Sequence, residues 1–539
     1  ELLTRNKPFE LAQIIYLPII DAPPSDYDTI YTSLKVAVEK SAAAGQDFCM
    51  VTFDLPLFVK ARDIVASCSE ICGVKNVIVR LGGFHLVMSF LGCIGYIMAG
   101  SGIEDICSLI YAKGSVDKML SGKAYARAIR CHSLIRLALA LLVLKDIEFS
   151  DVENQILENV SFDENITEEN LTDGQLNFLK QKFNQQLQEL KENDPTAKLY
   201  VQYFEMVSLL FQFIHAERSG DWNMHLNSIR KMIPFFITAG HFNYAKNSYI
   251  YLQDMYTIST KLNQENYHSY TDKGCFTLWR SQQFYSGIWS DMTIEQTYMR
   301  NIHSREGLTH GRGVTPASTA RWITSIPLQI VIAEQLETFC KFKMDGTSHQ
   351  HKDAGVSRVQ KDADDVKILL EWFEEHCPFV QSNDLISLSN GVIGSSEIDC
   401  HEAQEKGIAL IPQVIKETYG NIKFPKKMKV LPLKSAFSKV SLGSDDVVVV
   451  DSETLFRRML LCKPSDAEFE EYFDFELAPY PTSIFDGFNM RKNKKSDLYE
   501  FFTPVEDTSI NNIHHVIDGG YLLHKIVWNT NETFAEIYI

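Results

Sequence analysis

Residues 48–54 read FCMVTFD and residues 76–92 read NVIVRLGGFHLVMSFLG; these two stretches decide the fold. The first is a short, almost wholly apolar run ending in Asp54, the pattern of a strand covered on both faces. The second is another such run, closed by Gly82-Gly83 and followed by an apolar helical segment over residues 84–99. Between them, residues 58–72 carry a helical pattern. Upstream, residues 29–44 (TIYTSLKVAVEKSAAA) predict a helix with Asp28 as N-cap and Gly45 just past its end. Residues 13–20 (QIIYLPII) predict a strand. The order strand, helix, strand, helix, strand, helix implies parallel pairing through crossover helices.

Farther out the pattern changes. Residues 113–291 read as helical, with 134–144 (LIRLALALLVL) as a buried helix and polar or aromatic-faced helices at 175–190, 198–218 and 222–239. Residues 146–179 hold ten acids and no Lys or Arg, a solvated acidic loop. Helices return at 291–345 around the glycine-rich GLTHGRG (307–313). Residues 346–510 are mixed and loop-rich, with a strand at 447–450 and a helix from 452. The segmentation is therefore an α/β core at 1–112, a helical insertion at 113–290, return helices at 291–345, a mixed region at 346–510 and the start of a second α/β module at 511–539. The chain does not begin with Met and stops inside an apolar alternation, which we read as a fragment of a longer protein.

Composition narrows the function classes. The 539 residues are 45% hydrophobic and 22% charged, which suits several packed cores. With 52 basic against 69 acidic residues the net charge is −17, so bulk charge does not coat nucleic acid and only local basic patches serve that role. The eleven dispersed cysteines suit an intracellular, nuclear or cytoplasmic protein with reduced thiols. Cys68 and Cys72 are either buried thiols or half of a zinc site. Residues 86–103 carry no charge over 18 positions, but four glycines among them favour a buried core helix ending near Gly100 over a membrane span.

Several residues carry candidate chemistry. Asp54 ends a strand and precedes a helix, where α/β sheets hold ligands. It is either a Mg²⁺ ligand or the N-cap of that helix. His85 opens the next helix, as a supporting site residue or a satisfied polar group. Asp291 and Glu295 are four apart and share a helical face. They are a carboxylate pair for a metal, or a helix start with Asp291 as its cap. GLTHGRG lacks the ending of a phosphate loop. It is a flexible turn, or a loop whose Arg305, His310 and Arg312 meet nucleic-acid phosphates. Residues 421–440 contain six lysines and no acid, with Lys426 and Lys427 adjacent. That run and the basic cluster at 491–495 are nucleic-acid contacts or solvated surface. No protease, lipase or kinase signature is present.

The segment 48–91 resembles the middle of the RNase H-like fold of hAT-type transposases. There the second catalytic Asp ends a strand, and a Cys-x-x-His motif opens a later helix. Asp54 stands at that Asp and His85 at that His, while Gly82 replaces the Cys. The wider chain resembles a large uncharacterised, transposon-derived invertebrate family related to a fungal domain of unknown function. Segments RLGGFHLVMSFLG (80–92), GSVDKMLSGKAYARAIR (114–130), AGHFNYAKNSYIYLQDM (239–255), SDMTIEQTYMR (290–300), GLTHGRGVT (307–315) and YFDFELAPYPTSIFD (472–486) carry that likeness. The resemblance implies that Glu295 is the third acid after a long helical insertion. It places the first acid upstream of residue 1, because residues 13–20 would be the third strand of the fold. It implies DNA as partner and ancestral two-metal, Mg²⁺-dependent phosphodiester transfer, incomplete or inactive in this fragment. The alternative is a catalytically dead helical scaffold. Residues 514–528 (HHVIDGGYLLHKIVW) resemble the opening strand of a PIN-like nuclease domain, with Asp518 at its first metal-binding acid.

Overall fold

A computed structural model describes residues 11–12, 17, 20, 22–69, 72–147, 149–150, 173–281, 285–299, 315–340, 355–417, 419–436, 438–441, 447–450, 465, 485–486 and 489–490. Most of the strand expected at 13–20, most of the acidic loop, Arg305, His310, Arg312, the 491–495 cluster and Asp518 lie outside these residues.

The first α/β unit forms as its sequence dictates. Helix α1 (Tyr27–Ala43) precedes strand β1 (Cys49–Phe53), helix α2 (Leu55–Ser67), strand β2 (Val77–Leu81) and helix α3 (Gly83–Ile97). The strands pair in parallel, Cys49 opposite Val77 through Phe53 opposite Leu81. Every residue of β2 is buried, as expected for a strand covered on both sides. Asp26, not Asp28, occupies the N-cap position of α1; Asp28 lies in the first turn, where the helix dipole favours its charge. Gly45 follows α1 at φ +78°, the left-handed geometry that favours glycine. Cys68 and Cys72 are joined as a disulfide, so the expectation of two reduced thiols or a zinc half-site is corrected.

Helix α3 is the buried core helix that its uncharged sequence implies. Among the described residues no helix is long and apolar enough to cross a membrane. Its glycines serve contact: an ideal Cβ on Gly95 would lie 2.1 Å from the Leu120 carbonyl oxygen. The chain turns at Gly100, φ +81°, close to the expected end.

The helical segment follows as α4 (Ile103–Ile110), α5 (Lys113–Leu120), α6 (Tyr125–Lys145), α7 (Asp173–Asn193), α8 (Pro195–Ser219), α9 (Trp222–Thr238), α10 (Phe242–Tyr256) and α11 (Gln264–Thr271). Asp194 and Asp221 cap α8 and α9 by accepting first-turn N–H groups. Helix α6 is not buried all round. Leu137, Leu141 and Leu144 are 48%, 39% and 40% exposed, while its other side packs on α8 and on the later helix Val356–Glu375. The 113–290 segment is also not wholly helical. Strands β3 (Leu278–Trp279) and β4 (Gly287–Ile288) form an antiparallel hairpin. It sits against the end of α8, where a Cβ on Gly287 would be 2.3 Å from the Glu217 carbonyl oxygen. That docking returns the chain to α3 through α12 (Ser290–Ile294), which packs on α3 and β1.

Beyond it lie α13 (Pro316–Cys340), α14 (Val356–Glu375) and α15 (Ala403–Ile415), then strands β5 (Ser438–Ser441) and β6 (Val447–Val450). One continuous hydrophobic core runs from Ile30 on α1 to Leu433, spanning both the α/β unit and the helical segment. The chain divides into two compact units, residues 1–441 with 449–465, and residues 442–448 with 466–539. In the second, β7 (Phe485–Asp486) and β8 (Asn489–Met490) pair as an antiparallel hairpin. Helices thus dominate the described residues, whose sheets are all two-stranded.

Candidate functional site

The site forms at the carboxyl ends of β1 and β2. Asp54 follows the last residue of β1 and caps α2, its Oδ1 accepting the Leu57 N–H at 3.3 Å. Of its two expected roles, the N-cap is the one the geometry shows. On the neighbouring strand, Gly82 leads into α3 and donates its N–H to the Phe53 carbonyl at 2.7 Å. His85 then sits in the first turn of α3.

Asp291 enters from 206 residues downstream. It does not cap its own helix. Trp289 holds the N-cap position of α12, with no side-chain capping bond. Instead the Asp291 carboxylate caps α3: the Phe84 N–H donates to Oδ1 and the His85 N–H to Oδ2, both at 3.2 Å. A carboxylate on the free N–H groups of a helix start is favoured by hydrogen bonding and by the helix dipole. The same Oδ2 lies 3.1 Å from His85 Nδ1.

The Gly-Gly turn explains itself here. A Cβ on Gly82 would stand 2.5 Å from Asp291 Oδ2 and 3.1 Å from the Phe53 oxygen. A Cβ on Gly83 would stand 2.3 Å from Trp289 Cδ1. Both glycines are needed for space, because α12 lies directly over the turn. Buried Trp289 stacks on Phe213, which fixes α12 in place.

Glu295 ends α12, one turn after Asp291, and its Oε1 is 3.8 Å from His85 Nε2. That is an ion-pair distance and too long for a hydrogen bond. The hydrogen bond with Asp291 lifts the His85 imidazole above its ordinary value, against burial, and the charges of Asp291, Asp54 and Glu295 add to the effect. Tyr244 on α10 belongs to the same cluster. Burial pushes its phenol up, and the charges of Asp54 and Asp291 act in the same direction. The arrangement is an imidazole between two carboxylates, with a tyrosine beside it.

The structure thus brings Asp54, His85, Asp291 and Glu295 to one place. Lys426 and Lys427 are exposed on a separate 3₁₀ turn. Sequence reasoning missed Tyr244 and Trp289. Trp289 directly precedes the acidic turn at 290–295, and that adjacency was the available signal.

The described residues do not fit a Mg²⁺ site as arranged. Both Asp291 oxygens hold N–H donors, one Asp54 oxygen holds the Leu57 N–H, and the His85 ring occupies the space between Asp291 and Glu295. Among the described residues no group of three His, Cys, Asp or Glu side chains converges to hold a metal.

In an NMR titration the His85 ring should protonate above the ordinary imidazole value near 6.5. Asp291→Asn should bring it down, since the leading cause is lost. Protonated His85 adds its full stability below the unfolded-state value, and that contribution is lost as pH rises through the folded value. An unchanged His85 titration in Asp291→Asn would contradict the pairing.

A family model described as a domain of unknown function, DUF8702, matches residues 1–476. The chain belongs to that family. No curated protein matches it, and no solved structure matches it. In this DUF8702 chain the matched region contains the whole α/β unit, the helical segment and the Asp54–His85–Asp291–Glu295 cluster.

Proposed function

We propose that this chain is a transposase-derived, DNA-binding protein built on an RNase H-like core, whose acid cluster no longer performs Mg²⁺-dependent strand transfer in this form. One observation carries the reading. Asp291 and Glu295, which follow a long helical segment, return to His85 beside the end of β1, where Asp54 lies. A parallel βαβ unit with an acid at the carboxyl end of one strand, a histidine opening the next helix and an acid after a helical insertion is the layout that the resemblance implies. The inactive reading rests on the engagement of the carboxylates by N–H donors and by His85.

The second reading, a helical scaffold with no nucleic-acid role, is favoured by that same engagement of the carboxylates and by the net charge of −17. The two separate in one experiment. The full chain is incubated with labelled duplex DNA, with and without Mg²⁺ or Mn²⁺, and both retention and strand breaks are scored. Expected is salt-sensitive binding, because phosphate contacts release counterions, and no metal-dependent cleavage. Cleavage that Asp54→Asn abolishes would overturn the inactive reading. Absence of binding at low salt would leave the scaffold.

A further inference from the structure

Residues 422–434 cross the surface as a clamped strap, not a loose loop. The Val430 N–H donates to the Thr238 carbonyl at the end of α9, and the Tyr96 hydroxyl on α3 donates to the Val430 carbonyl, both at 2.9 Å. The Leu431 N–H donates to Asp399 Oδ1 at 2.7 Å, and the Lys434 N–H to the Ala99 carbonyl at 2.9 Å. Val430 and Leu433 are fully buried. Phe424 stacks on Phe242 at the start of α10, with centroids 5.0 Å apart and planes 4° from parallel. Lys429 is drawn inward, its Nζ 4.3 Å from the centre of the Tyr96 ring.

What this rigid backbone presents is positive. Lys423, Lys426 and Lys427 are exposed, and among the described residues none of the three has a salt-bridge partner. In a chain of net charge −17, three exposed lysines within five positions, none with a salt-bridge partner among the described residues, are a local reversal of charge.

The strap is also connected to the acid cluster. Phe242 and Tyr244 share the first turn of α10, and Tyr244 feels Asp54 and Asp291. His241, just before that turn, pairs through Nδ1 with Ser89 Oγ at 2.6 Å. Ser89 lies one turn along α3 from His85, on the same face. Tyr96, which holds the strap, is eleven residues along α3 from His85, about 16 Å at ~1.5 Å per residue.

We infer that Lys423, Lys426 and Lys427 form a phosphate-backbone clamp for duplex DNA, on a strap tied to α3 and α10, the helices that carry His85 and Tyr244. This rests on the DNA-binding reading above and adds where, and through which atoms, the duplex is held. The lysine ammonium groups meet phosphate oxygens as point charges, so the clamp fixes register and carries no sequence preference. Because the strap is ordered by its own hydrogen bonds, little backbone order is lost on binding.

The test is fluorescence anisotropy of a labelled duplex with the full chain, over a salt series, for the wild type and Lys423→Ala/Lys426→Ala/Lys427→Ala. Circular dichroism melting checks that the exposed substitutions leave the fold intact. With three contacts removed, the slope of log K against log salt should shrink by about 2.7. Affinity near 0.1 M salt should fall on the order of 100-fold, equally for unrelated sequences. Wild-type binding with an unchanged slope in the variant would overturn the clamp while leaving DNA binding standing. No wild-type binding at low salt would overturn both. Displacement of the duplex by polyglutamate at equal charge concentration would make the patch a site for acidic protein segments instead.

Discussion

Arg80→Met should destabilise the full chain by about 1–3 kcal/mol, the usual cost of leaving a buried polar group without its hydrogen-bond donor. Arg80 lies on β2 and is 6% exposed. Burial works against its charge, but Tyr270, Tyr251 and Glu217 outweigh that and keep the guanidinium firmly protonated. Its Nη1 donates to the Phe276 carbonyl at 2.6 Å, and its guanidinium lies over the Tyr270 and Phe276 rings. Glu217 is 1% exposed, and its Oε2 is 3.3 Å from His225 Nδ1. Without Arg80 the buried Glu217 side chain keeps only His225 beside it. Burial holds His225 below its ordinary value, and Arg80 adds to that, while Glu217 works against both. Removing Arg80 therefore eases proton uptake in the folded state. The deficit should shrink as pH falls from 7 towards 5, because the folded variant binds more protons there than the wild type. Adding Glu217→Gln should recover part of the loss. Urea unfolding at several pH values measures all three, and a deficit under 1 kcal/mol would mean that Arg80 has no buried partner.

Gly122→Ala is the second large effect, with a loss of about 2–5 kcal/mol. Gly122 has φ +78°, where an L side chain costs about 1–2 kcal/mol. An added Cβ would lie 2.0 Å from the Met88 carbonyl oxygen, a backbone atom of α3, and such overpacking costs about 1–3 kcal/mol more. Gly114 is the control. It lies in the first turn of α5, and an added Cβ there would meet nothing within 4 Å. Gly114→Ala should stabilise by about 0.5–1 kcal/mol. A calorimetric melt in which both alanines behaved alike would refute the close approach of α3 to the turn after α5.

The local parts of this fold were legible. Apolar runs bounded by Asp54 and Gly82-Gly83 placed β1, β2 and α3 within one residue or two, because short buried strands and their caps are written in adjacent residues. Asp54, His85, Asp291 and Glu295 could be selected for the same reason, each sitting at an element's end. How they meet was not legible. Asp291 caps a helix that lies 206 residues earlier, and no local pattern records such a pairing. The β3–β4 hairpin escapes the sequence because its strands are two residues each, below the length at which alternation can be counted. The exposed leucines of α6 look like core in the sequence, because composition alone does not say which side of an apolar helix finds a partner. Arg80 carries a signal of its own: a charged residue in a strand covered on both faces requires a buried counter-charge.

The distant cap on α3 also orders events during synthesis. When residues 76–97 leave the ribosome, β2 and α3 can form, but the N–H groups of Phe84 and His85 still face water. Asp291 follows 206 residues later, about 10–40 s at ~5–20 residues per second. Throughout that interval the nascent chain carries an open helix start and an ordinary histidine. The helical segment must be collected before the loop to Asp291 closes, so the cluster assembles late, and a chain interrupted before residue 291 reaches the cell with the core helix unsealed.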